Sequence, residues 1–299
     1  MGRHTLIFWR KKMTQTNLKR VKVYPDGNEF IRTKSGMWIR NFTKSNVQYV
    51  DMNQTYNQND YFTFLKNEIQ NSMQKYPWVN NENYMHDKVM IVSDGFNFAQ
   101  RQKFLAKIPS GVTVIGVLGA LNKWSSSNKN MNYYVINNPY KECLKYLGRR
   151  GVRTFPKCVT SLKTNSDFLS NYRGNIYKYL PVYEKSYSSR YTKETDFQVD
   201  DYRNPVCAAI HLAYSFNAEK IMLYCCDDSF EGHRPGAEKL DNGLYQYPQH
   251  NIAHEMIDAK MFWLKNLPYQ EIKLFYHSSG PRYENATYIE EEEIFEVMR

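Results

Sequence analysis

Short, continuously apolar runs that alternate with helical segments place the strongest limit on how this 299-residue chain folds. Strands that are apolar at every position must be covered on both faces, as in a parallel sheet wrapped by helices. The strand-like runs lie at residues 89–92, 112–117, 132–136, 221–226 and 272–276, with weaker signals at 153–158 and 176–182. The helical segments lie at about 97–107, 140–148, 205–216 and 251–266. The sequence therefore predicts an α/β fold, with a Rossmann-like, mostly parallel sheet and helices on both faces.

The first 87 residues follow another pattern and predict a separate unit. Residues 22–43 are typical of a hairpin, because the Pro-Asp-Gly-Asn run at 25–28 is a strong turn signal. Residues 60–74 carry apolar side chains at helical spacing, namely Phe62, Leu65, Ile69 and Met73. A polar stretch then continues to residue 87. We therefore predict a small basic N-terminal α+β segment at 1–87 and the Rossmann-like domain at 88–299.

The positive charge of the chain is concentrated at its N-terminal end. The formal net charge is +10, and residues 1–50 hold eleven Lys and Arg residues against two acidic ones. The remainder is close to neutral, with 29 basic and 28 acidic residues. A basic arm can bind phosphate backbones or anionic surfaces. A polyanion, either nucleic acid or an anionic glycan, is therefore the predicted partner, and a solvated surface without a partner is the alternative.

Several classes of protein are disfavoured by what the sequence lacks. The longest uncharged apolar run, at residues 112–121, is ten residues long, whereas a membrane span needs roughly 20. No signal-peptide core is present, so we expect a cytoplasmic protein, in the host cytoplasm if the chain is viral. The five cysteines form no CxxC pair, which disfavours structural zinc and a disulfide framework. The GxGxxG, GxxxxGK[ST] and GxSxG motifs are absent, which disfavours a dinucleotide site, a P-loop and a hydrolase elbow.

Small polar residues follow several predicted strands at the point where each strand ends. They lie at residues 93–95, 137–139, 227–228 and 277–279. Ligands bind beyond the carboxyl ends of the strands in parallel sheets. Gly95 would allow the backbone to approach a nucleotide closely, and Asn138 could reach a base or ribose. These positions predict a nucleotide-phosphate pocket, and ordinary strand-end turns are the alternative interpretation.

Residues 88–280 resemble a family of Rossmann-like glycosyltransferases, which includes the bacterial lipooligosaccharide sialyltransferases and the flagellin motility-associated-factor glycosyltransferases. The hydroxymethylpterin diphosphokinase-like proteins are a related branch. Four patches carry the resemblance over about two thirds of the chain: VMIVSDG at 89–95, YYVINNP at 133–139, PVCAAIHLAYSFNAEKIMLYCCD at 205–227, and residues 248–281. The resemblance implies a GT-A-like variant of the fold and transfer of a sugar from a nucleotide sugar, with a CMP-sugar favoured, to a hydroxyl acceptor.

Glycosyl transfer needs a general base, stabilisation of the leaving nucleoside phosphate, and alignment of donor with acceptor. The resemblance places the catalytic histidine just before a long helix, which favours His250 as the base. His254 lies one helical turn further on and is the second candidate. Tyr245 and Tyr247, in a segment rich in Gly and Pro, are the predicted stabilisers of the leaving group. Asp227 is placed near the nucleotide or the acceptor.

The expected nucleotide-binding residues are Asp94, Gly95, Asn97, Asn138, Asn204 and Ser278. Asp94 stands where the sialyltransferases have an asparagine, so its carboxylate would either repel a phosphate or accept hydrogen bonds from ribose hydroxyls. The resemblance implies that no metal is required, and the adjacent Asp227 and Asp228 leave magnesium as the alternative. Two other functions stay open. One is a pterin-type diphosphokinase that uses ATP and magnesium, and the other is a non-catalytic protein that binds nucleotide or nucleic acid.

Overall fold

The computed structural model of the chain describes residues 58–79, 87–95, 98, 101–124, 131–147, 155–181, 198–199, 201, 204–226, 273–277 and 285–299, together with five short strands. Those short strands are β1 (Arg20–Val23), β2 (Glu29–Arg32), β3 (Trp38–Asn41), β11 (Glu238–Lys239) and β12 (Tyr245–Gln246). β1, β2 and β3 pair antiparallel in that order. β11 and β12 form an antiparallel pair of their own.

The main sheet contains nine strands among the described residues. They are β4 (Lys88–Val92), β5 (Val112–Val117), β6 (Tyr133–Ile136), β7 (Lys157–Ser161), β8 (Ile176–Pro181), β9 (Gln198–Val199), β10 (Lys220–Tyr224), β13 (Lys273–His277) and β14 (Thr287–Tyr288). Their order across the sheet is β14-β13-β10-β4-β5-β6-β7-β8-β9, and neighbouring strands run parallel throughout. The predicted α/β, Rossmann-like class is confirmed.

In the described part of the chain six α-helices accompany these strands: α1 (Gln58–Ser72), α2 (Gln102–Leu105), α3 (Ala120–Lys123), α4 (Ser166–Asn171), α5 (Pro205–Ser215) and α6 (Ile294–Val297). Residues Lys141–Leu147 and Glu291–Glu293 form 3-10 helices. α5 begins where Asn204 and Pro205 predict, since the Asn204 side chain caps the helix by accepting from the Val206 N–H. The helix expected at 97–107 is shorter, and the one expected at 251–266 lies outside the described residues.

Alternate residues of each central strand enter different hydrophobic cores, as the pleat requires. Val89 and Ile91 join one core, which contains the wholly buried helix α5. Met90 and Val92 join the other, together with residues of α2, α3, α4 and α6. Helices therefore cover both faces of the sheet, and this explains why β4 and β5 are apolar without alternation.

The order of the strands reverses beside β4. From β4 the chain moves outward through β5, β6, β7, β8 and β9, and it then returns to place β10 on the other side of β4. β13 and β14 continue outward from β10. Connections that leave two adjacent parallel strands in opposite directions open a crevice beyond their carboxyl ends, where ligands bind in such folds. We call the space bordered by Ser93, Asp94, Gly95, Cys225 and Cys226 the switch-point crevice.

α1 lies across the loops that follow β6 and β7, and it attaches there through amide side chains. The Asn67 amide donates to the backbone oxygens of Pro139 and Lys163 at 2.9 and 3.2 Å. The Asn71 amide donates to those of Leu162 and Thr164 at 2.8 and 2.7 Å. The predicted helix is thus present, and its buried described side chains, Asn67, Glu68 and Asn71, are polar.

Two of the apolar side chains predicted for this segment face outward instead. Ile69 is 47% exposed and Met73 is 78% exposed. Further along the chain, Val79 is fully buried in the core that contains α5. Residues up to Val79 therefore pack on the sheet, and the boundary at residue 87 stays a prediction.

The C-terminal segment runs along the sheet from one end of the strands to the other. Near the carboxyl end of β10, Glu291 accepts a hydrogen bond from the Tyr224 hydroxyl. Near the amino ends, Lys220 donates to the Val297 carbonyl at 3.0 Å and Lys88 donates to the Arg299 carbonyl. The C-terminal segment, which starts with the acidic run, is thus hydrogen-bonded to both ends of β10 and to the start of β4. In the part of the chain that the structure describes, no helix combines the length and apolar character needed to cross a bilayer.

Candidate functional site at the switch-point crevice

The loops that follow β4 and β10 are joined by backbone hydrogen bonds at the crevice. The Ser93 N–H donates to the Tyr224 carbonyl at 3.2 Å, and the Gly95 N–H donates to the Cys225 carbonyl at 3.0 Å. The parallel ladder between β4 and β10 thus continues past the ends of the strands. Gly95 lies at the predicted rim, and its N–H already has a partner. A ligand in the crevice would therefore need donors other than the Gly95 N–H.

Asp94 connects the crevice to the loop after β5. Its Oδ1 accepts from the Gly119 N–H at 3.1 Å, and its Oδ2 lies 3.0 Å from the Lys123 ammonium. The Asp94 side chain is 18% exposed. A Cβ at position 119 would overlap the Asp94 carboxylate, so a larger residue there would have to displace that side chain. The carboxylate is held at the rim by two donors and still reaches the surface.

Two non-glycine residues with positive φ flank β4 at this rim. Leu118 follows β5 with φ 51°, and Cys225 follows β10 with φ 53°. Left-handed backbone is unfavourable for residues that carry a Cβ, and such residues persist where their surroundings hold them. The carbonyl of Leu118 accepts from the buried Tyr134 hydroxyl at 2.7 Å, and that of Cys225 accepts from Gly95. Backbone strain is thus concentrated beside the crevice.

A second polar group lies at the carboxyl end of β6, beside the first turn of α5. The fully buried Asp201 accepts from the Tyr179 hydroxyl at 2.6 Å and from the Asn137 amide at 3.2 Å. The Asp201 carbonyl in turn accepts from the Asn204 N–H at 2.7 Å. The N-terminus of α5, with its positive dipole end, therefore faces the same edge of the sheet as the crevice.

Asn138 and Asn204 mainly stabilise local backbone. The Asn138 Oδ1 accepts from the Tyr140 N–H at 2.9 Å, and its carbonyl accepts from the Asn165 N–H at 3.0 Å. The Asn204 Oδ1 accepts from the Val206 N–H at 2.9 Å. The amide nitrogen of Asn138 is the group that could still reach a ligand. The side-chain oxygen of Asn204 is used to cap α5.

A stack of aromatic rings stands one strand away from the crevice. The His277 ring lies between Tyr224 and Tyr288, with centroid distances of 5.9 Å to each and interplanar angles of 22° and 28°. Phe104 stacks on the Tyr224 ring at 5.0 Å, and the Arg101 guanidinium lies 5.6 Å from the centroid of that ring. Burial, followed by the hydrogen bond to Glu291, raises the pKa of Tyr224, so this hydroxyl stays protonated.

The structure brings some of the predicted site residues together and does not describe others. Asp94 and Gly95 lie at the crevice, while Asn138 and Asn204 lie further along the same edge of the sheet. Tyr245 is described as part of the backbone of β12. The predicted residues that lie outside the described part of the chain are Asn97, Asp227, Tyr247, His250, His254 and Ser278.

Sequence reasoning missed Asp201 and Arg101, and it placed His277 at a strand end without its ring partners. Asp201 stands in a polar stretch with no strand or helix signal, and its partners Tyr179 and Asn137 are far away in sequence. His277 did stand in a recognised strand end, but the rings beside it come from β10 and β14. Tertiary packing brings each of these residues to partners that are distant in sequence, and the sequence does not reveal those partners.

Two buried titratable side chains away from the crevice, His211 and Cys143, are uncharged in the folded protein. His211 in α5 is fully buried, and desolvation lowers its pKa to about 3, so it is neutral in the folded protein. Desolvation raises the pKa of the Cys143 thiol to about 12. Within the described ranges, no three His, Cys, Asp or Glu side chains come together as a metal site.

Comparisons with known proteins identify a likeness of fold. No family model matches the chain, and no curated protein matches it in sequence. Among solved structures, the MAf glycosyltransferase from Magnetospirillum magneticum AMB-1 superposes with a TM-score of 0.56 and 13% sequence identity. The match covers 78% of this chain and 38% of that structure, so this chain spans well under half the length of its neighbour. The two proteins share the Rossmann-like architecture.

Proposed function

We propose that this protein is a glycosyltransferase that binds a nucleotide sugar in the switch-point crevice and transfers the sugar to a hydroxyl acceptor. The observation that carries the proposal is the crevice between β4 and β10, with Asp94 held at its rim and strained backbone at Leu118 and Cys225 beside it. The likeness of fold to the MAf glycosyltransferase supports the same reaction class. The sequence patches at 89–95 and 205–227, which resemble nucleotide-sugar enzymes, flank this crevice.

The arrangement around Asp94 supports hydrogen bonding to ribose. A carboxylate offers about four lone-pair positions, and the Gly119 N–H and the Lys123 ammonium occupy two of them. The remaining positions can accept from a pair of ribose hydroxyls. The nearby Lys123 offsets the negative charge that would otherwise repel a donor phosphate. Asp94 therefore suits the ribose side of a nucleotide better than the phosphate side.

The catalytic roles of the remaining predicted residues rest on the resemblance. It gives the base to His250, with His254 second, and the stabilisation of the leaving phosphate to Tyr245 and Tyr247. Asp227 directly follows Cys226, which borders the crevice, and so suits contact with donor or acceptor. A CMP-sugar is the proposed donor. A polyanion such as hydroxymethylated DNA or an anionic glycan is the proposed acceptor, because the first 50 residues are strongly basic.

Ligand-induced thermal stabilisation tests this proposal. The full chain is heated with CMP-, UDP- and GDP-sugars and with ATP, each with and without magnesium. A ligand that binds the folded state raises the melting temperature, by an amount equivalent to about 2.7 kcal/mol at 100 times its Kd. We expect a nucleotide sugar to stabilise the protein without magnesium, and the Asp94→Asn variant to lose part of that shift.

Two other outcomes would contradict the proposal. Stabilisation by ATP only in the presence of magnesium would favour the diphosphokinase alternative. Stabilisation by nucleic acid, with no shift from any nucleotide sugar, would favour a binding protein that has this fold without the activity.

A further inference from the structure

His277 occupies a position from which it can serve the reaction in the crevice. It is the last residue of β13 and pairs with Tyr224, the residue that precedes Cys225. Adjacent strands lie about 5 Å apart, so His277 stands one strand spacing from the edge of the crevice. The residue is 7% exposed, so its ring is largely buried at the carboxyl end of β13.

The hydrogen bond of the ring determines which nitrogen carries the proton. Nδ1 lies 2.9 Å from the Ile289 carbonyl oxygen. A carbonyl only accepts hydrogen bonds, so Nδ1 must be the donor, and the neutral ring then has its lone pair on Nε2. Among the described residues, no group forms a hydrogen bond with Nε2. The imidazole is therefore held in the tautomer that can accept a proton at Nε2.

The two tyrosine rings orient the imidazole without occupying Nε2. Tyr224 and Tyr288 contact its two faces, and the Tyr224 ring is itself fixed by Glu291 and Phe104. Aromatic faces also stabilise a positive charge that forms between them. The charged groups around the stack are Arg101 over Tyr224, Glu291 on the Tyr224 hydroxyl, and Glu290 on the Tyr288 hydroxyl at 3.2 Å.

We propose that His277, rather than His250, is the general base of the transfer, and this inference rests on the proposed function. Nε2 takes the proton of the acceptor hydroxyl while its oxygen bonds to the anomeric carbon. The bond from that carbon to the phosphate oxygen breaks, and the electron pair leaves with the nucleoside phosphate. The imidazolium then returns its proton to solvent.

Donor hydrolysis, with water as the acceptor, provides the test. CMP release from CMP-sialic acid and UDP release from UDP-N-acetylglucosamine are followed across the pH range in the parent chain, in His277→Asn and in His250→Ala. An asparagine amide can still donate to the Ile289 carbonyl, but it has no atom that replaces Nε2 as a base. We expect His277→Asn to keep the donor-induced thermal shift, to lower the rate by roughly 10²–10⁴-fold, and to lose the fall in rate at acidic pH.

Lys273→Ala is the matched control, because Lys273 lies exposed at the other end of the same strand. It should leave the rate and its pH profile unchanged. The inference is overturned if the acidic fall persists in His277→Asn or disappears in His250→Ala instead. Should His277→Asn not fold, a parent rate that does not fall at acidic pH would also overturn it. Failure of the proposed function looks different, because the parent chain would then neither bind nor hydrolyse any nucleotide sugar.

Discussion

At the scale of single residues, Gly119 sets the position of the Asp94 carboxylate. The Gly119 N–H donates a hydrogen bond to that carboxylate. The Asp94 carboxylate also fills the space where a Cβ of residue 119 would lie. Gly119 also follows Leu118, whose backbone is strained. A single glycine thus permits the contact that ties the loop after β5 to the crevice.

Replacement of Gly119 by alanine is expected to displace Asp94 and to destabilise the fold. Overpacking of this kind typically costs about 1–3 kcal/mol, which urea unfolding would measure as a lower midpoint. The thermal shift from a nucleotide sugar should fall as well, since the carboxylate moves. Gly111→Ala is the matched control, because a Cβ there meets nothing within 4 Å. Equal midpoints for the two variants would contradict the role given to Gly119.

At the scale of elements, α1 shows a helix that attaches through its polar face. The amides of Asn67 and Asn71 donate to backbone carbonyls in the loops after β6 and β7, and Gln70 accepts from Ser166 of α4. Ile69 and Met73 are exposed. Glu68 is buried beside them, and desolvation raises its pKa despite the attraction of Lys163. These loops line the carboxyl edge of the sheet, so α1 stabilises the wall next to the candidate site.

Truncation of Asn71 tests this attachment. Asn71→Ala removes two hydrogen bonds and leaves the buried carbonyls of Leu162 and Thr164 without that donor. Such a loss costs about 1–3 kcal/mol, and we expect faster proteolysis at α1 and a lower urea midpoint. Ser72→Ala, at an exposed neighbouring position that bonds only within the helix, should change neither quantity. Similar behaviour of both variants would show that α1 is not held in this way.

The sequence predicted the buried elements well because burial on both faces leaves a continuous apolar run. Val112–Val117 forms β5 as predicted, and Pro205–Ser215 forms α5 behind its Asn204 cap. β9 and β14 have two residues each and carry no such run, so they were not predicted. Which side of α1 is buried depends on hydrogen bonds from its amide side chains to residues about 90 positions away, as from Asn71 to Leu162. Propensity and spacing cannot contain that information.

At the scale of the whole molecule, charge separates an N-terminal arm from a nearly neutral remainder. Deletion of residues 1–19, which hold Arg3, Arg10, Lys11, Lys12 and Lys19, is expected to weaken binding to heparin and duplex DNA. The loss should be greatest at low salt, and the slope of log K against log salt should become less steep, because fewer counterions are released. Donor hydrolysis in the same preparation should be unchanged. A parallel loss of hydrolysis would assign the arm to the folded core.

The central pairing of β4 with β10 also has a consequence for synthesis of the chain. The Cys226 thiol donates a hydrogen bond to the Ile91 carbonyl beside the crevice, although the two residues are 135 positions apart in sequence. A ribosome that adds about 5–20 residues per second needs on the order of 10 s to make that stretch. Until then one edge of β4 lacks its partner and can pair with another nascent chain. The crevice therefore forms late during translation, and a donor nucleotide cannot assist folding before β10 has emerged.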